Sequence, residues 1–294
     1  MSTDRQVSYI DAILRKYPDF AVHSARLDSH GQNNDALIIN DEFVFRFPRY
    51  AEGIKRLEIE AALLAGIQNH VTLSVPRITF DNLAIQTVGE AFIGYRLIAG
   101  QPLHRQTVQT IRAEQVLQTL AQQLARFLKE LHAIPVETAI GYRLPIFDTI
   151  DECVDIYTRI RDKCFPFMRQ DSREWAVHHF ESFLNNPHHF EYEPVLRHGD
   201  FGATNILFDP QKQVITGIID FSGAGLGDPA YDFAGLLSSY GESFLKRCLS
   251  TYPTIESFWS RILFYQGTFA LLEALFGLEN NDRKAFESGI RKYA

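Results

Sequence analysis

The sequence predicts an α+β chain in two lobes, a small β-rich one followed by a larger, mainly helical one. Three observations carry that expectation. The chain has 294 residues, which at roughly 100–200 residues per domain suggests two packed units. Strand-like runs dominate its first third. From Val116 onward apolar residues recur at helical spacing, except for a β-rich interval between Val195 and Ile219.

Taken in order, Val7, Ile10, Ile13, Leu14 and Tyr17 repeat at helical spacing and stop before Pro18. Ala36–Ile39 and Phe43–Phe47 read as strands joined by the turn pair Asn40-Asp41. A helix follows with Leu57, Ala61, Leu64 and Ile67 on one face. Ile78–Phe80, Leu83–Gln86 and Phe92–Ile98 read as further strands. Ala99-Gly100-Gln101-Pro102 marks the boundary, because Gly and Pro interrupt regular structure. It divides the chain into residues 1–100 and 101–294. Beyond it, Val116, Leu120, Leu124, Phe127 and Leu131 form a helical stripe ending before Pro135. No internal repeat or low-complexity tract is visible.

Composition excludes several classes. Apolar residues at 46% and charged residues at 22% fit a folded globular protein. The 29 basic and 36 acidic side chains leave a net charge of -7, which argues against a nucleic-acid partner, since those need clustered Lys and Arg. The polar start MSTDRQ does not read as a signal peptide. Phe269–Leu278, broken by Glu273, reads as too short for a membrane span. Cys153, Cys164 and Cys248 show neither a disulfide framework nor zinc spacing. The expectation is a soluble cytoplasmic protein without a membrane partner, monomeric by default.

The informative segment runs Val195-Leu-Arg-His-Gly-Asp-Phe-Gly-Ala-Thr-Asn-Ile-Leu-Phe208. Asp200 and Asn205 lie five residues apart on a glycine-interrupted loop anchored by apolar runs. A second segment, Ile215–Asp232, places Asp220 at the end of a buried strand before a glycine-rich turn. Two carboxylates and an amide, with no Cys or His set, suit a hard cation such as Mg²⁺, which takes one or two carboxylates plus phosphate oxygens. That pattern points to a nucleoside triphosphate, with catalysis expected at Asp200 and metal ligation at Asn205 and Asp220. An Asp followed five residues later by a metal-binding Asn is the kinase arrangement.

On these motifs the chain resembles the aminoglycoside phosphotransferase family of kinase-like small-molecule enzymes. The resemblance rests on His198-Gly199-Asp200 with Asn205, on Ile219-Asp220-Phe221, and on Gly227-Asp228-Pro229 with Asp232. It implies a protein-kinase-like bilobal fold, ATP or GTP as donor, Mg²⁺, and a small-molecule hydroxyl as acceptor. It also places a phosphate-covering loop at Ser29–Asn34, with Gly31 and Asn33 as candidate contacts. Arg46 falls where the family has a phosphate-gripping lysine; Arg49 or Lys55 could reach in instead. Glu60 is the expected acidic partner, with Glu58 as runner-up. Tyr95-Arg96-Leu97-Ile98 matches the hinge, so Arg96 and Ile98 would offer backbone groups to the purine. His198 reads as structural, Asp228-Pro229 as a helix-start pair, and Asp232 as an anchor of the same loop.

Residues 133–196 carry 11 acidic against 6 basic side chains. A solvated surface explains that excess as readily as a negative wall drawing in a cationic ligand. On the second reading Asp148, Asp151, Glu152 and Asp155 would bind an aminoglycoside-type antibiotic. The resemblance puts the acceptor cleft against the carboxy-terminal helices, which adds Tyr265 and Glu273 as candidates. A macrolide or a metabolic alcohol is the alternative acceptor. An inactive nucleotide-binding homologue is the rival outside catalysis, motivated by Arg46 and the glycine-poor loop.

Overall fold

The computed structural model describes residues 2–29, 33–141 and 144–294. Its first part is helix α1 (Ser2–Lys16), an antiparallel sheet of β1 (Ala25–Asp28), β2 (Asn34–Ile39), β3 (Phe43–Pro48), β4 (Ile78–Asp81) and β5 (Ile93–Arg96), and helix α2 (Ala51–Ile67). The strand order is β1-β2-β3-β5-β4. The β2–β3 hairpin turns at Asn40 (φ 56°) and Asp41 (φ 51°), with Ile39 opposite Phe43. Glu42 N donates to Ile39 O at 3.0 Å, so Asn40 and Asp41 are the left-handed central pair of a turn in a three-residue connection, a region that Asn and Asp tolerate best.

Alternation along β3 decides which side chain does what. Phe45 and Phe47 go into a core with Leu37, Ile39, Phe92 and the Tyr9, Ala12 and Ile13 face of α1. Tyr9 stacks on Phe47 with centroids 4.0 Å apart. Arg46, between them in sequence, points to the opposite face because successive strand side chains alternate. The expected strand Leu83–Gln86 does not form. That stretch is turn and loop, part of the connection between the paired strands β4 and β5. Asn82 closes the ladder by donating its side-chain amide to Glu90 O.

The chain then enters β6 (Gln101–Pro102), which pairs with β8 (Ile206–Asp209), itself paired with β9 (Val214–Ile218). Short helices α3 (Arg105–Thr110) and α5 (Val136–Gly141) flank the long α4 (Glu114–His132). Leu120, Leu124, Phe127, Leu128 and Leu131 of α4 are fully buried in the larger core. Next come α6 (Ile150–Lys163), α7 (Gln170–Leu184) and β7 (Val195–Arg197), which pairs with β10 (Gly225–Gly227). α8 (Ala230–Tyr240), α9 (Glu242–Arg247), α10 (Trp259–Glu279) and α11 (Arg283–Ile290) complete the fold.

α10 corrects one expectation. The helical stretch 253–279 has 27 residues, and an 18-residue window in it reaches a mean hydropathy of 1.2, so by length and composition it could cross a bilayer. Here it packs against α6, α8 and α11 as a central helix of the larger lobe.

Candidate active site

The segment around Asp200 is built by local bonds. Gly199 has φ +79°, and a Cβ there would lie 1.9 Å from Gly223 O, so only glycine lets the two loops touch. The buried His198 ring bridges backbone: Nε2 lies 3.1 Å from Ile219 O, and Nδ1 accepts from Asp200 N at 3.2 Å. Asp232 accepts from the backbone amides of His198 (2.8 Å) and Gly199 (2.9 Å), and His132 Nε2 lies 3.1 Å away. Burial alone would raise the Asp232 carboxyl, but His132 and His198 hold it below the ordinary carboxylate value.

Asn205 donates its amide to Asp200 O at 2.9 Å and to Asp200 Oδ2 at 2.7 Å. Its side-chain oxygen is thereby left for another partner. Burial pushes the Asp200 carboxyl up, reinforced by Asp220 and Asp232 and opposed by His198 and the Asn205 bond. Asp220 stands at φ +63°, a left-handed position. Arg46 donates to Asp220 Oδ1 at 2.8 Å and to Glu60 Oε1, tying β3, α2 and the 220 turn together. Glu60 Oε1 also accepts from Phe221 N at 3.1 Å. Burial raises the Glu60 carboxyl against the pull of Arg46. At Asp220 burial loses: Arg46 and Ser222 bring that carboxyl below its usual value.

Two cavities meet at this floor. One, of about 590 Å³, is lined by Asn33, Arg56, Glu60, Asp200, Phe221 and Ser222 among others. The second is a chamber of about 460 Å³ under α6, α7 and α10. Phe147 and Gly223 line both. The chamber wall is mostly aromatic and aliphatic, including Phe180, Phe183, Tyr231, Phe264, Tyr265 and Phe269. Its charged rim is Asp148, Glu152, Asp155 and Glu279, with Arg159 and Arg197.

The nucleotide-side candidates gather unevenly. Arg46 and Glu60 are joined, and Asn33 lines the cavity above Asp200. Gly31 lies outside the described residues. Glu58 instead accepts from Gln86 Nε2 at the surface. Arg49 is held by Asp35 and Ser29 O, away from Asp220. Arg96 ends β5 opposite Phe43, and its side chain turns outward to Glu42. The Leu97 amide donates to Glu42 O, whereas the Ile98 amide and carbonyl enter no backbone bond among the described residues.

Of the acceptor-side candidates, Glu152, Asp155 and Tyr265 line the chamber. Asp148 lines it too, but its side chain is 6% exposed and ion-paired with Arg197 Nε at 3.1 Å. Burial pushes its carboxyl up to about 7 despite that pairing. The Tyr265 hydroxyl is engaged by Asp228 Oδ2 at 3.1 Å. Two candidates fall elsewhere. Asp151 faces a separate groove beside Ile146 and Tyr192. Glu273 is exposed, because it follows the chamber-lining Leu272 and each helical residue turns its side chain by about 100°.

The sequence reading missed Arg197, Arg261, Arg159 and Glu279. Arg261 donates to both Asp228 oxygens, at 2.6 and 3.2 Å, so that carboxylate ties β10 to α10. Asp228 also caps α8 from one residue further out than expected, accepting from Ala230 N at 2.9 Å. Arg159 and Lys163 hold Glu279, and their hydrogen bonds lower its carboxyl to about 2. A lone Arg inside an apolar run, as in Val195-Leu-Arg197 or at the start of α10, was the available signal.

Asn205 and Asp220 offer oxygen donors, the kind a hard cation takes, on adjoining segments, Ile219 N donating to Asn205 O at 3.0 Å. Among the described residues no group of three or more His, Cys, Asp or Glu could hold a metal. Asn205 and Asp220 would therefore supply oxygen ligands only in company with phosphate oxygens, which is how Mg²⁺ is usually held.

Residues 24–258 match the family described as the phosphotransferase enzyme family, APH. Viomycin phosphotransferase from Streptomyces vinaceus is 30% identical over 199 residues, covering 67% of each chain. Among solved structures, the GDP and kanamycin complex of APH(2")-IIIa superposes with a TM-score of 0.90 at 28% identity, covering 97% of both chains. A type I macrolide 2'-phosphotransferase superposes with a TM-score of 0.76 at 21% identity, covering 98% of this chain and 96% of its own, a likeness of fold.

Proposed function

Because the chain belongs to the phosphotransferase enzyme family, we propose that it moves the γ-phosphoryl group of ATP or GTP to a hydroxyl of an aminoglycoside-type cationic antibiotic. It is a phosphotransferase with a hydroxyl acceptor; the antibiotic class is the finer step. What supports that step is the meeting of the two cavities at Phe147 and Gly223, one lined by Glu60 and Asp200, the other rimmed by Glu152, Asp155 and Glu279. A relative at 28% identity was solved with GDP and kanamycin.

In this reading residues 1–100 carry the nucleotide and residues 101–294 the catalytic loop and acceptor. Asp200 accepts and orients the acceptor hydroxyl for in-line attack. Its raised proton affinity suits a group that must take that proton, and the Asn205 bond fixes its rotamer. Arg46, whose two terminal nitrogens donate to Glu60 and Asp220, would offer the phosphates the N–H groups those bonds leave. Asn205 and Asp220 fit as Mg²⁺ ligands; when bound, the ion would neutralise charge between β- and γ-phosphates. The Ile98 backbone is the hinge group left open to a purine edge. The acidic rim steers ammonium groups toward the chamber.

The aromatic wall favours a second reading, a bulky apolar acceptor such as a macrolide. A phosphoryl-transfer screen of kanamycin, viomycin, a macrolide and neutral alcohols, each with MgATP and MgGTP, separates these. Turnover of a polycationic antibiotic is expected. Turnover confined to the macrolide or a neutral alcohol would remove the aminoglycoside assignment, and nucleotide binding without any turnover would favour the inactive homologue.

A further inference from the structure

Arg197 stands immediately before the His198-Gly199-Asp200 turn, and phosphoryl transfer as described does not use it. It is a cation ending an apolar strand, with a side chain 5% exposed. Its Cζ lies 3.9 Å from the Tyr231 ring centroid and 4.5 Å from that of Phe147, so two aromatic rings hold the guanidinium. Gly227 clears the space: a Cβ there would come within 2.9 Å of Arg197 Nε and 2.3 Å of Asp148 Oδ2. Along one edge Nε and Asp148 Oδ2 form an ion pair at 3.1 Å. Yet neither Nε nor Nη1, though buried, meets a partner at hydrogen-bond geometry among the described residues. Asp148 Oδ2 lies within reach of Nε but out of line, and the Tyr231 hydroxyl is the other acceptor close by, Arg197 opposing the upward push that burial gives that phenol. The side chain forms part of the chamber wall with Gly199, Gly223 and Tyr231.

Buried guanidinium groups ordinarily have their donors filled, because an unmatched buried N–H is costly. Unmatched donors in an aromatic cage that borders a ligand chamber point to a ligand as the partner. With Asp148 ionised the pair is neutral overall, so what the guanidinium then lacks is a lone pair rather than another negative charge. We propose that Arg197 binds a neutral carbonyl, ether or hydroxyl oxygen of the acceptor, next to the hydroxyl that is phosphorylated, and so determines which hydroxyl faces Asp200. The proposal rests on the phosphotransferase reading and narrows its substrates to acceptors with an oxygen neighbouring the reactive hydroxyl.

Arg197→Lys keeps the charge opposite Asp148 and removes the forked donor end. With any acceptor that the wild type turns over, KM for that acceptor should rise about tenfold to a hundredfold. Nucleotide KM should hold, and product analysis should show a second hydroxyl phosphorylated. The double variant Arg197→Met, Asp148→Asn removes the charge pair together, so it leaves no buried lone charge, and should behave alike. Equal losses for nucleotide and acceptor, accompanied by a lower Tm, would mark Arg197 as structural and overturn the proposal. A second arm needs no antibiotic: crystals of the full chain soaked with N-methylacetamide should show its carbonyl oxygen at hydrogen-bond distance from the guanidinium. Nη1 donating instead to Tyr231 Oη, with no probe beside it, overturns the proposal whatever the screen finds. A wrong acceptor class is read in the screen, and a wrong role for Arg197 in the soak.

Discussion

The two cavities that share Phe147 and Gly223 are built on opposite plans. On the phosphate side, Arg46, Glu60 and Asp220 form a chain of charges reaching from β3 through α2 to a turn of the larger lobe. On the acceptor side the wall is aromatic, and most of the charge is already paired: Asp148 with Arg197, Asp155 and Glu279 with Arg159. The difference teaches where each kind of specificity comes from. A phosphate is a small, fixed shape, and a few charged groups at set positions suffice to hold it. An acceptor has many possible shapes, and its cavity is cut from the packing of whole helices. The acidic excess of residues 133–196 is therefore only partly a binding wall, since paired carboxylates attract a cation weakly.

That contrast can be broken by experiment. The largest effect belongs to the shared floor: Asp200→Ala should lower kcat by about two to four orders of magnitude with little change in either KM. A fall in substrate affinity with kcat intact would place Asp200 in binding rather than catalysis. Next comes the charge chain. Arg46→Met leaves Glu60 buried without its cation and should cost about 3–5 kcal/mol of stability, read by urea denaturation. A near-neutral result would mean Glu60 takes up a proton easily, which its upward shift allows.

The acceptor side should answer to pH through its aromatic packing. His179 stacks on Phe264 and Trp175, its Nε2 lies 3.0 Å from Thr268 Oγ1, and burial lowers its ring to about 4 from an ordinary 6.5. Its folded form resists protonation, so the unfolded chain gains the proton first. Stability from this group is full above pH 6.5 and is lost as pH falls toward 4, by about 3 kcal/mol. The wild type minus His179→Phe difference should show that slope; a flat difference would remove His179 as its source. The smallest effect is at the rim. Asp155→Asn with Glu279→Gln should raise KM for a polycationic acceptor less than about tenfold, and salt should erase the change. A larger, salt-resistant effect would restore the acidic wall as the main recognition element.

Legibility followed the same divide. Asp200 and Asn205 could be read because five residues of loop bring them together through Asn205's own bonds. Arg46 and Glu60 were reached only through the family resemblance, and the fold then joins them across 14 positions. The hairpin at Asn40-Asp41 and the α4 stripe were equally local. Leu83–Gln86 failed as a strand because whether an apolar run pairs depends on a partner that the run itself does not contain. Glu273 failed because the phase of α10 against the chamber is set by neighbouring helices, which select Glu279 instead.

The amino-acid order by itself settled the loop motifs and the lobe order, which depend on residues a few positions apart. Long-range packing set the chamber: which carboxylates are neutralised, that Asp228 locks onto Arg261, and that two aromatic rings cage Arg197. The physical reason is range. Backbone geometry and hydrogen bonds between near neighbours are written within a few residues, whereas burial and charge pairing depend on segments that meet only after the chain has packed.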